Sequence, residues 1–335
     1  MPVRITLERR SCLRVLVTGA AGFIGSHLVE RLLSSGYSVI GLDNLSSGSL
    51  GNLSEAIHAP GFRFVKADLL DPQAWVEDLS GVETVFHMAA NPEVRHSTRE
   101  PLDHYHQNLT ATMNLLEAVR RKGIRLFVFA SSSTVYGDPD IIPTPENHPI
   151  KPISIYGATK AAGEIMCSTY SRLYGVGCLI LRYANIVGPR LRHGVIYDFI
   201  RKIRENRYYI EILGDGTQRK SYLYISDAVE ATMASFNKML DEGSSLEVYN
   251  IGNKDWITVI DIARIVARVM GIEDIEYRFK PATPDGRGWL GDVKLMLLDI
   301  ARIGDKTGWR PSMGSSEAVE RTSLDLVREL KIQNS

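Results

Sequence analysis

Val15-Leu-Val-Thr-Gly19-Ala-Ala-Gly22-Phe-Ile-Gly25-Ser-His-Leu28 reads as a buried strand, a glycine turn and the start of a helix. The largely apolar run over 13–18 is too short to cross a bilayer and stops at glycine, as a strand in a covered sheet does. Glycines let the backbone turn sharply and approach a pyrophosphate, whose charge is stabilised by amide donors at a helix N-terminus. Gly19, Gly22, Phe23, Ile24 and Gly25 are therefore the expected phosphate cradle, although the spacing is G-x-x-G-x-x-G rather than the G-x-G-x-x-G of many dehydrogenases. Asp43 stands 18 residues beyond Gly25, at the end of the next apolar run. There a carboxylate can accept hydrogen bonds from an adenosine ribose, with Asn44 beside it as a further contact. No arginine follows in Asp43-Asn-Leu-Ser-Ser-Gly48 to neutralise a 2′-phosphate, so the pattern predicts NAD rather than NADP. Asp68-Leu69, after a third apolar run, is placed to contact the adenine.

Short apolar runs alternate with longer amphipathic segments through the first half of the chain. Strands are expected over 14–18, 38–42, 63–66, 84–87, 126–130 and 177–182. Helices are expected near 24–33, 72–79, 101–122 and 154–174. This alternation predicts an α/β fold, a Rossmann-type doubly wound parallel sheet built from βαβ units. Beyond Arg182 the segments shorten and turn signals crowd together (Gly188-Pro189, Gly214-Asp-Gly216, 281–288), which suits a smaller α+β substrate lobe over the sheet's carboxyl edge. The expected division is a dinucleotide domain over 1–183, with 222–252 returning to it, and a second lobe over most of 184–335.

The chain has 335 residues, 44% hydrophobic and 23% charged, with Lys+Arg and Asp+Glu both 39. A balanced charge gives no reason to expect nucleic-acid or anionic-membrane partners. Three scattered cysteines (Cys12, Cys167, Cys178) argue against a disulfide framework and for a reducing compartment. They and the eight histidines show no metal-ligand spacing, so no metal is expected. Residues 1–12 are polar and charged, unlike a signal peptide, and no apolar run approaches 18 residues. A cytoplasmic location is the expectation.

Tyr156-Gly-Ala-Thr-Lys160 places a phenol and an ammonium at i, i+4 on one helix face. Tyrosine ordinarily titrates near pH ~10 and is a poor base at neutrality. A cation ~4 Å away, at an effective dielectric of ~20, contributes on the order of 4 kcal/mol, roughly three pK units. The spacing thus predicts a phenol depressed enough to take a proton from an alcohol.

Together these residues resemble the extended short-chain dehydrogenase/reductase family, most closely its UDP-glucose 4-epimerase branch. The resemblance runs from Val17-Thr-Gly-Ala-Ala-Gly22 to Gly308-Trp309, through Asp43 to Gly48, His87-Met-Ala-Ala90, Ser131-Ser-Ser-Thr-Val-Tyr-Gly137, Tyr156 to Lys160 and Arg182-Tyr-Ala-Asn-Ile-Val-Gly-Pro189. It implies that Tyr156 is the acid/base, that Lys160 binds the nicotinamide ribose, and that Ser132 hydrogen-bonds the reacting sugar hydroxyl. It further implies Ala89, Ala90, Asn108 and Tyr183 around the cofactor, and Asn185 on the UDP pyrophosphate.

Within this family, the tripeptide before Val135-Tyr-Gly137 separates the chemistries. Sugar 4,6-dehydratases carry Thr-Asp-Glu there and UDP-xylose-forming decarboxylases a glutamate; this chain has Ser132-Ser133-Thr134. No carboxyl group is available at those positions to drive elimination, so the resemblance implies C4 epimerisation of a UDP-hexose. UDP-N-acetylglucosamine and UDP-glucuronate stand as alternative substrates, with a nucleotide-sugar reductase or a non-catalytic NAD-binding regulator as further readings. In Gly214-Asp-Gly-Thr-Gln-Arg219-Lys220-Ser-Tyr222 strict register puts Lys220 at the family's phosphate-binding arginine, with Arg219 beside it, and either could serve. Arg287 and Asp292 resemble the last phosphate- and ribose-contacting pair, at a longer spacing than the Arg-Pro-Gly-Asp of many epimerases. Met296 falls where some epimerases wall the hexose 2-position with tyrosine. Relatives usually dimerise through the two long helices near 101–122 and 154–174, so a homodimer is expected.

Overall fold

The computed structural model describes residues 13–330; Cys12 and the polar stretch 1–12 lie outside them. Seven strands form one parallel sheet: β1 (Arg14–Thr18), β2 (Ser38–Asp43), β3 (Phe62–Lys66), β4 (Thr84–His87), β5 (Leu126–Ser132), β6 (Gly177–Tyr183) and β7 (Leu246–Ile251). Their spatial order is β7-β6-β5-β4-β1-β2-β3, with Val15 paired to Val39 on one side and to Thr84 on the other. The order reverses between β1 and β4, and such a switch point opens a crevice at the strands' carboxyl ends.

The long helices are α1 (Phe23–Ser34), α2, α3 (Ile155–Tyr174), α4 (Gly194–Glu205), α5 (Ile225–Glu242), α6 (Val259–Val269), α7 (Ala301–Thr307) and α8 (Ser315–Glu329). Helix α2 is composite, running through Pro101–His104, a wide π turn Tyr105–Thr110, and Ala111–Lys122. Side chains alternate across the sheet as the strand period of two requires. Phe127 and Phe129 of β5 face the layer of α2 and α3, with Leu115, Leu116 and Cys167. Val128 and Ala130 face the layer of α1 and α5, with Leu28, Leu32 and Phe236. Because both faces are covered, the strands are apolar without alternating.

The helix expected over 72–79 is two 3₁₀ turns, Pro72–Ala74 and Val76–Leu79. Trp75 between them leaves helical geometry at φ −144°. Its buried indole N–H donates to the Asp68 carbonyl at 3.0 Å, and that anchor outweighs helical continuity.

The second lobe is built from short pairings. Asn185–Val187 lies beside Tyr222–Tyr224, and Tyr209–Leu213 beside Glu276–Lys280. The two-residue strand Arg219–Lys220 sits between Ile257–Thr258 and Leu295–Met296. Helices α4, α6 and α8 pack on one another around them. The edge strand β7 returns the chain from this lobe to β6. Cys167 and Cys178 are buried free thiols. No helix among the described residues is long and apolar enough to cross a membrane.

Candidate active site

The glycine turn closes where the sequence places it. Gly19 has φ +65°, and a Cβ on it would stand 2.8 Å from the backbone of Ala89; a Cβ on Gly25 would stand 2.0 Å from the Gly19 carbonyl oxygen. The turn therefore presses α1 against β1 and the loop after β4. Gly22 caps α1 in extended geometry, and no side chain caps the helix. The first amides of a helix have no intrahelical acceptors, so they are available to an anion. At the end of β2 the buried Asp43 accepts from the Ala21 amide at 3.0 Å and the Leu45 amide at 2.7 Å. Burial raises its pKa and those two bonds oppose the rise. Asn44 donates to Asp68 at 2.9 Å, and the Leu69 carbonyl accepts from Asn114 at 3.0 Å. The crevice, uncapped helix end and acidic edge fit NAD, with Asp43, Asp68 and Leu69 along one rim.

Across the switch point, β5 ends at Ser132, whose hydroxyl accepts from the Thr134 amide (3.2 Å) and hydroxyl (3.0 Å). Tyr156 lies in the first turn of α3, which Ser154 caps by accepting from the Gly157 amide at 3.0 Å. Burial pushes the Tyr156 phenol up to about 12, opposed by its hydrogen bond with Ser132. The phenol is thus raised, where the i, i+4 spacing predicts it depressed. The reason lies with Lys160, only 3% exposed, whose ammonium donates to the Ala130 carbonyl at 2.8 Å and lies 5.9 Å from the centre of the Tyr156 ring. Burial brings Lys160 itself down to about 8, against the neighbouring Cys167 and Glu164.

A buried chain of hydrogen bonds holds these groups in place. Thr112 donates to the Asn108 carbonyl (2.5 Å), so its oxygen accepts from His87 Nε2 (2.9 Å), leaving His87 Nδ1 to accept from Thr18 (2.8 Å). Asn108, within the π turn, binds the Asn91 backbone through both halves of its amide and donates also to Thr159 (2.7, 3.3 and 3.3 Å). Its side chain is thereby committed to shaping the Ala89–Ala90 loop. Glu164, one turn beyond Lys160, accepts from Ser131 at 2.5 Å and pairs with Arg182 of β6 at 2.6 Å. Arg182 also donates to the Tyr136 hydroxyl at 2.8 Å. Sequence reasoning missed Glu164, Thr112 and Thr159. A glutamate at i+4 from Lys160 was a readable sign, whereas its partner Arg182 was visible only as part of a longer motif.

The expected substrate residues divide. Lys220 pairs with the buried Asp292 at 2.6 Å, and Asp292 also accepts from the Gly288 amide at 3.3 Å. Arg287 donates to the Asp292 carbonyl (2.6 Å) and pairs with Asp285 (2.6 Å) and Asp138 (2.9 Å). Asp138 follows Gly137, so this cluster sits over the Ser132 loop. The Asn185 amide donates to the Ser221 carbonyl at 2.9 Å. Arg219, next to Lys220, points the other way, as neighbours on a strand must. It stacks 5.8 Å from the Trp256 ring over a groove against α6. Tyr183 donates to Thr232 at 2.6 Å, since Thr232 gives its own proton to the Ala228 carbonyl; its phenol thus faces α5. Met296 is 2% exposed, in a small apolar cluster with Val135, Tyr136 and Ala161.

A glycine turn with an open helix end at the switch point, and Ser132, Tyr156 and Lys160 on β5 and α3, fit an NAD-dependent enzyme of the short-chain dehydrogenase/reductase type. The chain belongs to the NAD dependent epimerase/dehydratase family, which it matches over residues 15–252. It is 36% identical over 321 residues to the UDP-glucose 4-epimerase of Mycolicibacterium smegmatis, covering 92% of this chain and 97% of that protein. A crystal structure of a UDP-galactose 4-epimerase superposes with a TM-score of 0.85 at 52% identity, covering 95% of this chain and 100% of the other. That of UDP-glucuronic acid 4-epimerase from Bacillus cereus, in complex with UDP-glucuronic acid and NAD, superposes at 0.84 with 30% identity and covers 95% and 100%.

Proposed function

We propose that this protein inverts C4 of a UDP-hexose, interconverting UDP-galactose and UDP-glucose. The observation that carries the reading is a hydroxyl-only approach to the phenol. Ser132, Ser133 and Thr134 stand where eliminating relatives have acids, and Ser132 lies close enough to the Tyr156 phenol to oppose the rise that burial causes. NAD, when bound, supplies a reversible hydride acceptor, so that a 4-keto sugar can be reduced again on its other face. Gly19, Gly22, Phe23, Ile24, Gly25, Asp43 and Asn44 hold the dinucleotide, with Asp68, Leu69, Ala89, Ala90 and Tyr183 lining its surroundings. Ser132 orients the sugar 4-hydroxyl toward Tyr156 Oη, which as the phenolate takes its proton and later returns it; the positive charge of bound NAD⁺ beside Lys160 would favour that phenolate against its burial. Lys160 steadies the nicotinamide ribose.

For both sugar faces to meet one phenol, binding must concentrate on the nucleotide and leave the hexose loosely held. We assign the nucleotide to Asn185, Lys220, Arg287 and Asp292. Lys220 rather than Arg219 is the phosphate group of the pair, because it shares the cluster over Ser132. The same UDP half would serve UDP-glucuronate or UDP-N-acetylglucosamine. A homodimer is part of this reading. Tyr105, Leu109, Met113, Ile165 and Met166 line a groove of about 430 Å³ on the outer face of α2 and α3, and Leu102 and Ile165 are 68% and 59% exposed.

Incubating the protein separately with UDP-galactose, UDP-glucuronate and UDP-N-acetylglucosamine, with no cofactor added, and analysing the sugars tests the assignment. UDP-galactose should become UDP-glucose. Loss of water or carbon dioxide, or strict dependence on added NADPH, would overturn it. Tyr156→Phe should bind NAD yet lose on the order of 10²- to 10⁴-fold in turnover, the usual contribution of a positioned acid/base.

A further inference from the structure

The turn Arg287-Gly-Trp-Leu-Gly-Asp292 is longer than the Arg-Pro-Gly-Asp of many epimerases, and its extra length brings in Trp289. The indole Nε1 of Trp289 is buried with no hydrogen-bond partner among the described residues. Indole nitrogen only donates, and a buried donor without an acceptor is a net cost to folding. Ser235, Tyr249 and Trp309 also carry buried unpartnered atoms, but they sit on α5, on β7 and behind α7. Trp289 sits instead on the turn that links the nucleotide cluster to the catalytic elements. Its carbonyl accepts from the Asp292 amide at 3.1 Å, and its ring centre lies 5.5 Å from the Lys220 ammonium. At one end of the turn Arg287 reaches Asp138. At the other, a Cβ on Gly291 would stand 2.8 Å from the carbonyl of Ile153, just before the Ser154 cap of α3. The turn is thus wedged between the Ser132 loop and the start of the Tyr156 helix.

Both cations of this cluster already have carboxylate partners: Lys220 has Asp292, and Arg287 has Asp138 and Asp285. What the cluster still offers is a neutral donor that brings no counter-charge. We propose that Trp289 is a substrate-contacting residue, its indole N–H donating to an oxygen of the nucleoside diphosphate half of the substrate. This rests on the UDP-sugar reading above.

The test is UDP affinity by calorimetry for the unmodified protein and for Trp289→Phe, which keeps an aromatic ring and removes the donor. UDP affinity should fall roughly five- to twenty-fold, the usual worth of one hydrogen bond to a ligand. NAD affinity should hold, and the thermal midpoint should stay level or rise, since an unpaired donor has been removed. Unchanged UDP affinity would overturn the assignment. So would a midpoint several degrees lower, which would mean that the donor serves the fold, for instance through a buried water. Should the variant not fold, ¹H–¹⁵N spectra of the unmodified protein decide. The chain has four tryptophans, and UDP must shift the Trp289 indole proton downfield; a resonance that does not move rejects the proposal. If the unmodified protein binds no UDP at all, the functional reading itself falls, and this assignment with it.

Discussion

Tyr156 shows how far a residue's chemistry departs from what its neighbours in sequence suggest. Its i, i+4 lysine is present, yet the ammonium is turned to the Ala130 carbonyl, and burial, which disfavours a phenolate, prevails at about 12. Gly25 makes the opposite case, a residue whose role the sequence states completely. Its hydrogen faces the Gly19 carbonyl, and a methyl group there would overlap it. Gly25→Ala should cost about 1–3 kcal/mol through overpacking and weaken NAD binding at least tenfold. Denaturant unfolding and NAD titration of the variant measure both; a variant with normal NAD affinity would mean that the turn does not hold the dinucleotide.

Helix α3 carries two of the three proposed reacting groups, so whatever fixes α3 on β5 and β6 fixes their geometry. The Glu164–Arg182 pair does this with side chains 4% and 6% exposed. Removing one partner strands a buried charge, and Glu164→Ala should destabilise the protein by roughly 3–5 kcal/mol, read from the denaturation midpoint. Strand β4 gives a pH dependence. Burial, helped by the Lys160 charge, brings His87 down to about 3 from an ordinary 6.5. Between those values the unfolded chain binds a proton that the native protein refuses, so stability is full above pH 6.5 and is lost as pH falls toward 3. The loss should reach about 2 kcal/mol by pH 5 and on the order of 5 kcal/mol by pH 3. Comparing unfolding free energies at pH 7.5 and 5 checks this, and His87→Gln should flatten that window.

The molecule brings its two lobes together over one crevice. On the reading proposed above, the first supplies the cradle and the Ser132–Tyr156 face and the second supplies Lys220, Arg287 and Asp292, with Arg287–Asp138 joining them. Its outer surface leaves the apolar face of α2 and α3 exposed. If a second copy covers it, Ile165→Glu should yield a folded monomer in sedimentation velocity, because a charge cannot be buried there without a partner. Sedimentation unchanged from the unmodified protein would place any dimer contact elsewhere.

Strand, glycine turn and helix over 14–34, a carboxylate closing β2 at Asp43, and Tyr156 and Lys160 on one helix were legible because each depends on residues close together in the chain. Hydrophobic period and backbone sterics act over one or two turns, and they are written in order. The helix expected over 72–79 failed at Trp75, whose pull toward the core is a tertiary contact. The pairing of Lys220 with Asp292, the turning of Arg219 to Trp256, the counter-ion of Arg287, the clamp on α3 and the phenol's raised pKa come only from the folded structure. Lys220 and Asp292 are 72 residues apart, and Arg287 and Asp138 are 149 apart. Burial and ion pairing depend on which distant groups share a dry space, and local sequence carries no record of that.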